Sequence, residues 1–302
     1  MGRIAGSFAS ATPPLHCPLF IVISIIMNKF ATKKDRNYTL LGILPLIMEY
    51  NKFKIGKAYI SNTNFDDTVL QIKNAIQKNT NTYICVTNMR MVRYANKKEN
   101  HSYLTIMNNS FMNLPDGTPL VWCGRLWGLK KIRCRSGPNL FRKMLSSDDN
   151  IKHFLLGDTD EVLDKLKSKY KNKIVGSYSP PFIDVNDYDY DKIAELINKS
   201  GADIVWVAMR APKQDIFSYN ISPLLDNKIC ISVGRAFRIA IGEIKDAPKF
   251  FQKLGLSGLF TRRTSLLPTL KWYFITMFFL LYYMLEIIIK RMFMLNKAKN
   301  LI

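Results

Sequence analysis

Side chains that could carry chemistry recur directly after largely apolar runs of the chain. Carboxylates serve as proton acceptors, amides and hydroxyls as hydrogen-bonding groups, and guanidinium groups as anion binders. Such side chains stand at five places: Thr87-Asn88, Asp116-Gly117, Gly157-Asp158, Arg210-Ala-Pro-Lys-Gln214 and Gly234-Arg235. Each motif alone also fits a turn or a helix cap, because Asp, Asn, Gly and Pro favour those positions. Their function therefore depends on whether the fold brings them together.

The segments around these motifs have the pattern of buried strands. Strands are predicted at residues 55–60, 82–86, 153–156, 173–176, 203–208 and 228–233, where polar alternation is weak and helical segments lie between. This pattern predicts an α/β fold, a Rossmann-like parallel sheet with helices on both faces. In such sheets ligands bind outside the carboxyl ends of the strands. The motifs therefore lie where a binding site is expected.

The chain is strongly basic. Its 302 residues include 44 Lys and Arg against 23 Asp and Glu, a formal charge of +21. An excess of this size indicates a nucleic acid, an anionic membrane surface or an anionic substrate as partner. The sequence has no helix-turn-helix, zinc-finger or RNP-type signature, and the C-terminal basic residues flank apolar sequence. We therefore expect no nucleic-acid partner.

The composition also bears on compartment and cofactors. Hydrophobic residues make up 48% and charged residues 22%, which excludes a disordered or collagenous chain. Five widely spaced cysteines without a CxxC pair indicate reduced thiols in a cytoplasmic protein. Three scattered histidines argue against a histidine-built metal site. The overlapping Asp-x-Asp pairs of Asp187-Tyr-Asp189-Tyr-Asp191 could hold a divalent cation, but Asp191 equally suits a helix start. We favour the helix start and expect neither a metal nor a cofactor.

The chain divides into three predicted parts. These are an N-terminal extension over residues 1–52, disordered or loosely packed, an α/β domain over 53–245, and a basic, apolar C-terminal helical appendage over 246–302. An apolar run at 18–27 also fits a signal-peptide core. The appendage holds an apolar segment from Trp272 to Ile289, flanked by Lys271 and by Lys290-Arg291. It suits a helix in the membrane interface, a single span or a helix docked on the body, and we favour the interface.

Taken in order, the motifs resemble those of the WecG/TagA/CpsF glycosyltransferases of bacterial cell-surface polymers. The resemblance covers roughly Phe53 to Lys271, and Pro-Asp-Gly followed about a hundred residues later by Pro-Lys-Gln is its most specific part. The matching motifs are Val86-Thr-Asn88, Leu114-Pro-Asp-Gly117, Arg133-Cys-Arg-Ser-Gly137, Phe154-Leu-Leu-Gly157, Ala211-Pro-Lys-Gln-Asp215, Val233-Gly-Arg-Ala-Phe237 and Ala247-Pro-Lys249.

The resemblance implies an enzyme that transfers an N-acetylhexosamine-type sugar, with N-acetylmannosamine or its uronic acid favoured, from a UDP donor. The implied acceptor is a polyprenyl-diphosphate-linked saccharide in cell-surface polysaccharide synthesis, such as capsule or exopolysaccharide. The implied place is the inner face of the plasma membrane, where the enzyme would bind the anionic surface peripherally, or by a single span at 272–289. Homo-oligomerisation stays open. The alternatives are a degenerate, membrane-associated scaffold of the same fold and, less favoured, a nucleic-acid-binding protein.

The resemblance also implies roles for individual residues. Inverting transfer needs a base for the acceptor hydroxyl and groups that hold the departing diphosphate, and Asp116 matches the base proposed for the family. The implied substrate-binding residues are Thr87, Asn88, Arg133, Arg135, Gly157 and Gln214, and we add Arg262 and Arg263 as candidates for contact with a diphosphate or with lipid headgroups.

The sequence departs from the family pattern at several positions. The family threonine falls on Val86, with Thr87 one place late, and Ala208-Met-Arg210 replaces a Gly-rich turn. The family arginine falls on Cys134, so Arg133 and Arg135 are both candidates for its role. Arg238 stands where an aspartate is usual. These departures concern donor specificity and full activity more than the fold.

Overall fold

The computed structural model describes residues 52–134, 136–246, 248 and 266–299; in the last stretch, side chains are described only at 271 and 274–290. The strands are β1 (Lys52–Ile55), β2 (Ala58–Ser61), β3 (Thr82–Thr87), β4 (Met112–Pro115), β5 (His153–Gly157), β6 (Ile174–Tyr178), β7 (Ile204–Ala208) and β8 (Ile229–Ser232). The α-helices are α1 (Phe65–Gln77), α2 (Met89–Ala95), α3 (His101–Asn109), α4 (Thr118–Leu126), α5 (Gly137–Leu145), α6 (Asp160–Lys169), α7 (Tyr190–Lys199), α8 (Lys213–Ile221), α9 (Ala236–Ala240) and α10 (Leu266–Lys299). Short 3₁₀ helices lie at Lys98–Asn100 and Ser222–Leu224.

Six strands form a parallel sheet in the order β4-β3-β8-β7-β5-β6. Alternate residues of the central strands face opposite sides: Ile204 and Trp206 of β7 belong to one core cluster, and Val205 and Val207 to another. Helices α1, α5, α6 and α9 contribute to the first cluster, and α7 and α8 to the second. The predicted α/β class, a Rossmann-like sheet with helices on both faces, is confirmed.

The first predicted strand is wrong in one respect. Residues 55–60 do not form one strand, because the chain reverses at Gly56, and β1 and β2 pair antiparallel as a hairpin. Gly56 has φ +61°, a left-handed conformation that glycine adopts without steric cost. The hairpin contacts β4 through Asn113, whose backbone N–H donates to Ser61 Oγ at 2.9 Å and whose side chain donates to the Tyr59 carbonyl at 2.7 Å.

A third core cluster joins the hairpin to helices α2, α3, α4 and α10. Its buried members include Ile55 and Ile60 of the hairpin, and Leu280, Tyr283 and Ile287 of α10. The spacing of those three α10 residues places them on one helix face. The other face is exposed and apolar, with Phe274 76% exposed, Phe278 71% and Leu285 60%. Over the side chains that are described, helix α10 is therefore docked on the body along one side.

The structure bears on the alternative that residues 272–289 form a single membrane span. Within the stretches that the structure describes, no helix combines the length and apolarity needed to cross a membrane.

Candidate functional site

The carboxyl ends of the parallel strands carry the predicted functional motifs, as parallel topology requires. The loops after β3 and β4 meet directly: the backbone N–H of Asp116 donates to the Thr87 carbonyl at 2.6 Å. The loop before α5 lies against the end of β8, since a Cβ added to Gly137 would come within 2.9 Å of the Val233 carbonyl oxygen. Four separate stretches of sequence thus meet in two pairs at the carboxyl ends of the strands.

Asp116 follows β4 and precedes Gly117, whose φ of +100° turns the chain into α4. The residue keeps part of its surface accessible, but its carboxyl group is enclosed. Desolvation raises the pKa of Asp116 to about 6, and the positive charge of Arg235 opposes that rise. A carboxylate with this pKa is ionised near neutral pH and still basic enough to accept a proton, as a general base requires.

Arg235 is the charged residue that sequence reasoning left out of the predicted site. It follows β8 in the Gly234-Arg235 loop, is exposed, and acts electrostatically on Asp116. The available signal was its place directly after a strand; its pairing with a residue more than a hundred positions earlier could not be read from spacing. A guanidinium group here can hold an anionic leaving group.

Gln214 is buried and binds the protein itself through its side-chain oxygen. Oε1 accepts a hydrogen bond from the Gly234 backbone N–H at 2.9 Å, which ties α8 to the loop that carries Arg235. Its neighbour Asp215 is buried too, and its Oδ2 accepts from the Tyr103 hydroxyl at 2.6 Å. Burial raises the pKa of Asp215 to about 6, while hydrogen bonds from Tyr103 and other neighbours oppose the rise. A second ionisable carboxyl therefore lies beneath the site.

Thr87 and Asn88 occupy the end of β3 and the start of α2. Asn88 caps α2, since its side chain accepts a hydrogen bond from the Met91 backbone N–H at 3.2 Å. The Thr87 hydroxyl is buried and has no hydrogen-bond partner among the described residues. The Asn88 oxygen serves the helix, and the predicted substrate-binding role of Asn88 stays a prediction.

Gly157 closes β5 with φ +108°. A Cβ at this position would lie 2.6 Å from the backbone oxygen of Ala208 on the neighbouring strand, so the position excludes a side chain. The next residue, Asp158, pairs with Arg238: Nε and Nη2 donate to Oδ1 at 3.0 and 2.7 Å, and Nε also lies 3.2 Å from Oδ2. Arg238, the departure from the family pattern, thus neutralises a carboxylate at the end of the fifth strand.

The predicted arginines have different outcomes. Arg133 is exposed, and its guanidinium donates to the carbonyls of Lys130 and Ile132 in its own loop, both at 2.9 Å. Cys134 is the residue that reaches the site: its Sγ accepts a hydrogen bond from the Gly117 backbone N–H at 3.0 Å. Arg135, Arg262 and Arg263 lie outside the described residues.

The acidic motif at 187–191 has a structural role. Asp189 caps α7 by accepting from the Lys192 backbone N–H at 3.0 Å, and Asp191 lies in the first turn of that helix. The part of the chain that the structure describes contains no group of three or more Asp, Glu, His or Cys side chains placed to hold a metal ion. The preferred helix-start interpretation of Asp191 is confirmed.

Comparison with known proteins identifies relatives of the chain. The profile of the glycosyl transferase WecG/TagA/CpsF family matches residues 53–293. Two similar proteins, from Bacillus subtilis strain 168 and Bacillus spizizenii strain W23, are each named N-acetylglucosaminyldiphosphoundecaprenol N-acetyl-beta-D-mannosaminyltransferase. The first is 26% identical over 168 residues, covering 54% of this chain and 64% of its own length. The second is 26% identical over 170 residues, covering 55% and 66%. The chain thus spans slightly less than two thirds of these relatives.

Proposed function

The chain belongs to the glycosyl transferase WecG/TagA/CpsF family, and we propose that it transfers an N-acetylhexosamine-type sugar from a UDP donor to a polyprenyl-diphosphate-linked saccharide. N-acetylmannosamine or its uronic acid is the favoured sugar, in line with the mannosaminyl transfer in the names of the two Bacillus relatives. Their names also specify a diphosphoundecaprenol-linked acceptor, which supports the acceptor class.

The observation that carries the proposal is the enclosed carboxyl of Asp116 directly after β4, held against the Thr87 loop, where burial raises its pKa and the charge of Arg235 opposes the rise. In the proposed step the Asp116 carboxylate takes the proton from the acceptor hydroxyl as that oxygen attacks the anomeric carbon. The bond from this carbon to the diphosphate breaks, and UDP leaves with the electron pair. The Arg235 guanidinium stabilises the charge that develops on the departing diphosphate. One base and one displacement invert the configuration at the sugar carbon.

The test is substitution of the base. Asp116→Asn should lower turnover by about 10²–10⁴-fold while UDP binding persists, measured with UDP-N-acetylmannosamine, UDP-N-acetylmannosaminuronic acid and a polyprenyl-diphosphate-N-acetylglucosamine acceptor. The matched control is Asp187→Asn, which replaces an exposed carboxylate of the Asp-x-Asp motif and should leave turnover unchanged. Unchanged turnover in Asp116→Asn would remove Asp116 from the mechanism.

A second candidate is the membrane-associated scaffold, and one substitution favours it. Cys134 stands where the resembling family has arginine, and the structure places its thiol against the Asp116-Gly117 turn. If that arginine is needed for transfer, the chain would bind its ligands without reaction. A panel of UDP-sugars that gives no product with any acceptor, although UDP binds, would establish the scaffold.

We further propose that the enzyme works as a peripheral protein on the inner face of the membrane. Support comes from the exposed apolar face of α10, with Phe278 and Leu285 at its centre, and from the exposed Lys271 and Lys290 near its ends. Phe278→Asp with Leu285→Asp should abolish co-sedimentation with vesicles that contain anionic lipid. Leu70→Asp, at a residue of α1 that is 57% exposed, is the control and should sediment normally. Equal sedimentation of both variants would refute this placement.

A further inference from the structure

A basic cavity of about 340 Å³ lies beside α2 and is distinct from the Asp116-Arg235 pair. Arg90, Arg93 and Lys97 line it at helical spacing, opposite Ala211 and Pro212 of the loop that follows β7. Among the residues that the structure describes, no carboxylate lines it, although Lys97 pairs with the exposed Glu99 at 3.2 Å. Three cations around one cavity favour an anionic ligand, and planar guanidinium groups bind phosphate oxygens in pairs.

One end of this cavity adjoins the catalytic loops. Arg90 is two residues beyond Asn88, and its Nη2 lies 3.4 Å from the Ala211 carbonyl oxygen, which it approaches as donor. Pro212 in turn is two residues before Gln214, whose oxygen binds the loop of Arg235. A ligand in the cavity would therefore contact the same two loops that shape the site of sugar transfer.

The other end of the cavity adjoins the C-terminal helix. The Arg93 guanidinium carbon lies 5.4 Å from the ring centroid of Phe279 on α10. Phe279 packs against the core cluster, and its neighbours Phe278 and Leu281 belong to the exposed apolar face. The basic cavity thus stands between an apolar surface on one side and the catalytic loops on the other.

This order matches the order of groups in a lipid-linked sugar: apolar chain, diphosphate, saccharide. We propose that the Arg90-Arg93-Lys97 cavity binds the diphosphate of the polyprenyl acceptor. The assignment rests on the proposed function and names the residues that recognise this part of the substrate. Inorganic pyrophosphate and the diphosphate of UDP share the same anionic chemistry. The proximity of α10 favours the lipid-linked source.

Equilibrium binding to the full-length protein tests the assignment without requiring turnover. The probes are farnesyl diphosphate, inorganic pyrophosphate and UDP. Arg93→Gln and Arg90→Gln should each weaken farnesyl diphosphate binding about 10- to 100-fold, the usual effect of losing a charge-assisted contact, and leave UDP binding unchanged. Arg93→Lys keeps the charge and should bind between wild type and Arg93→Gln. Lys143→Gln removes an exposed charge from α5 and should bind all three probes normally.

Three results would overturn the assignment. The first is that farnesyl diphosphate binds both glutamine variants as tightly as wild type. The second is that the affinity for UDP falls in the same variants, which would show that the cavity binds the donor. Pyrophosphate could bind wild type as tightly as farnesyl diphosphate, which would make the cavity a site for free anions. These binding measurements separate the cavity assignment from the proposed transfer. If the wild-type protein transfers no sugar but the two glutamine variants still lose farnesyl diphosphate binding, the proposed transfer is refuted and the assignment of the cavity stands.

Discussion

The side-chain oxygen of Gln214 lies 2.9 Å from the backbone nitrogen of Gly234 and accepts its hydrogen bond. This contact joins two loops that follow neighbouring strands, β7 and β8. Gly234 immediately precedes Arg235, whose positive charge opposes the rise in the Asp116 pKa, so the backbone position of Arg235 depends on this contact. In the proposed reaction, Gln214 is therefore a positioning residue for Arg235.

Gln214→Ala should lower both stability and turnover. The Gly234 N–H loses its acceptor, which costs about 1–3 kcal/mol of the free energy of unfolding, and Arg235 loses its fixed position. Urea unfolding and steady-state kinetics measure the two effects. Gln77→Ala, at the exposed end of α1, is the control and should change neither. Full turnover in a destabilised Gln214→Ala protein would show that the bond serves folding alone.

The pH profile of turnover should have an acidic limb near pH 6. Asp116 accepts a proton only when ionised, and its pKa is raised to about 6, so kcat/KM should fall by up to about tenfold per pH unit below that value. Asp215 has a pKa of about 6 as well. The limb should persist in Asp215→Asn and vanish from the residual activity of Asp116→Asn. Loss of the acidic limb in Asp215→Asn but not in Asp116→Asn would assign the limb to Asp215.

Asp116→Asn should stabilise the protein at neutral pH while it lowers turnover. The folded-state pKa of about 6 lies above the ordinary value of 3.8, so the folded state is the one that holds the proton more tightly. The stability gained by protonation is present below pH 3.8 and is lost as the pH rises through 6. Above pH 6 the ionised carboxylate costs about 1–3 kcal/mol, which asparagine removes. Unfolding free energies on both sides of this window provide the measurement, and a variant no more stable than wild type at neutral pH would contradict it.

Cys134 should be the accessible thiol next to the site. Among the cysteines in the described part of the chain, Cys85, Cys123 and Cys230 are buried and Cys134 is exposed. Alkylation with iodoacetamide should slow turnover, because the added group would lie against the Asp116-Gly117 turn. Cys134→Ser should keep its activity under the same treatment, with mass spectrometry locating the adduct. Equal inactivation of Cys134→Ser would place the sensitive thiol elsewhere.

Gly157→Ala should be the more damaging of two glycine substitutions. The new Cβ would meet the Ala208 carbonyl oxygen at 2.6 Å, and φ is +108°, so the cost should reach about 3 kcal/mol or more. Gly201 has φ +67° with no atom within 4 Å of an added Cβ, and Gly201→Ala should cost only the backbone strain of about 1–2 kcal/mol. Thermal unfolding compares the two. Equal losses of stability in the two variants would show that β5 and β7 move apart to accommodate the new Cβ.

The central strands of the sheet could be predicted from sequence because they are largely buried on both faces. The segments at 82–86, 203–208 and 228–233 match β3, β7 and β8 closely. The segment at 55–60 did not, because one glycine reverses the chain inside what looks like a continuous strand. A local sequence pattern predicts burial well. A turn inside an apolar run depends instead on the backbone conformation of one residue, here Gly56.

The candidate site was predictable in position and less so in contacts. Asp116, Thr87, Asn88 and Gln214 all lie at strand ends, as parallel topology dictates, while their substrate roles stay predictions. The pairing of Asp158 with Arg238 and the electrostatic effect of Arg235 on Asp116 join residues far apart in sequence. The order of the strands in the sheet brings such pairs together, and the spacing of residues along the sequence does not reveal that order.

The docking of α10 has a consequence for how the protein is made. An added Cβ on Gly56 would lie 2.9 Å from Tyr283, so the described residues nearest the start of the chain pack against a helix from its end. During synthesis the hairpin emerges well before α10, so the part of the core cluster that Leu280, Tyr283 and Ile287 cover stays exposed until the ribosome has translated beyond Ile287. Contacts of such long sequence separation form late and slowly. Between the synthesis of the hairpin and the synthesis of α10, the nascent chain therefore carries an apolar surface that its own later residues cover.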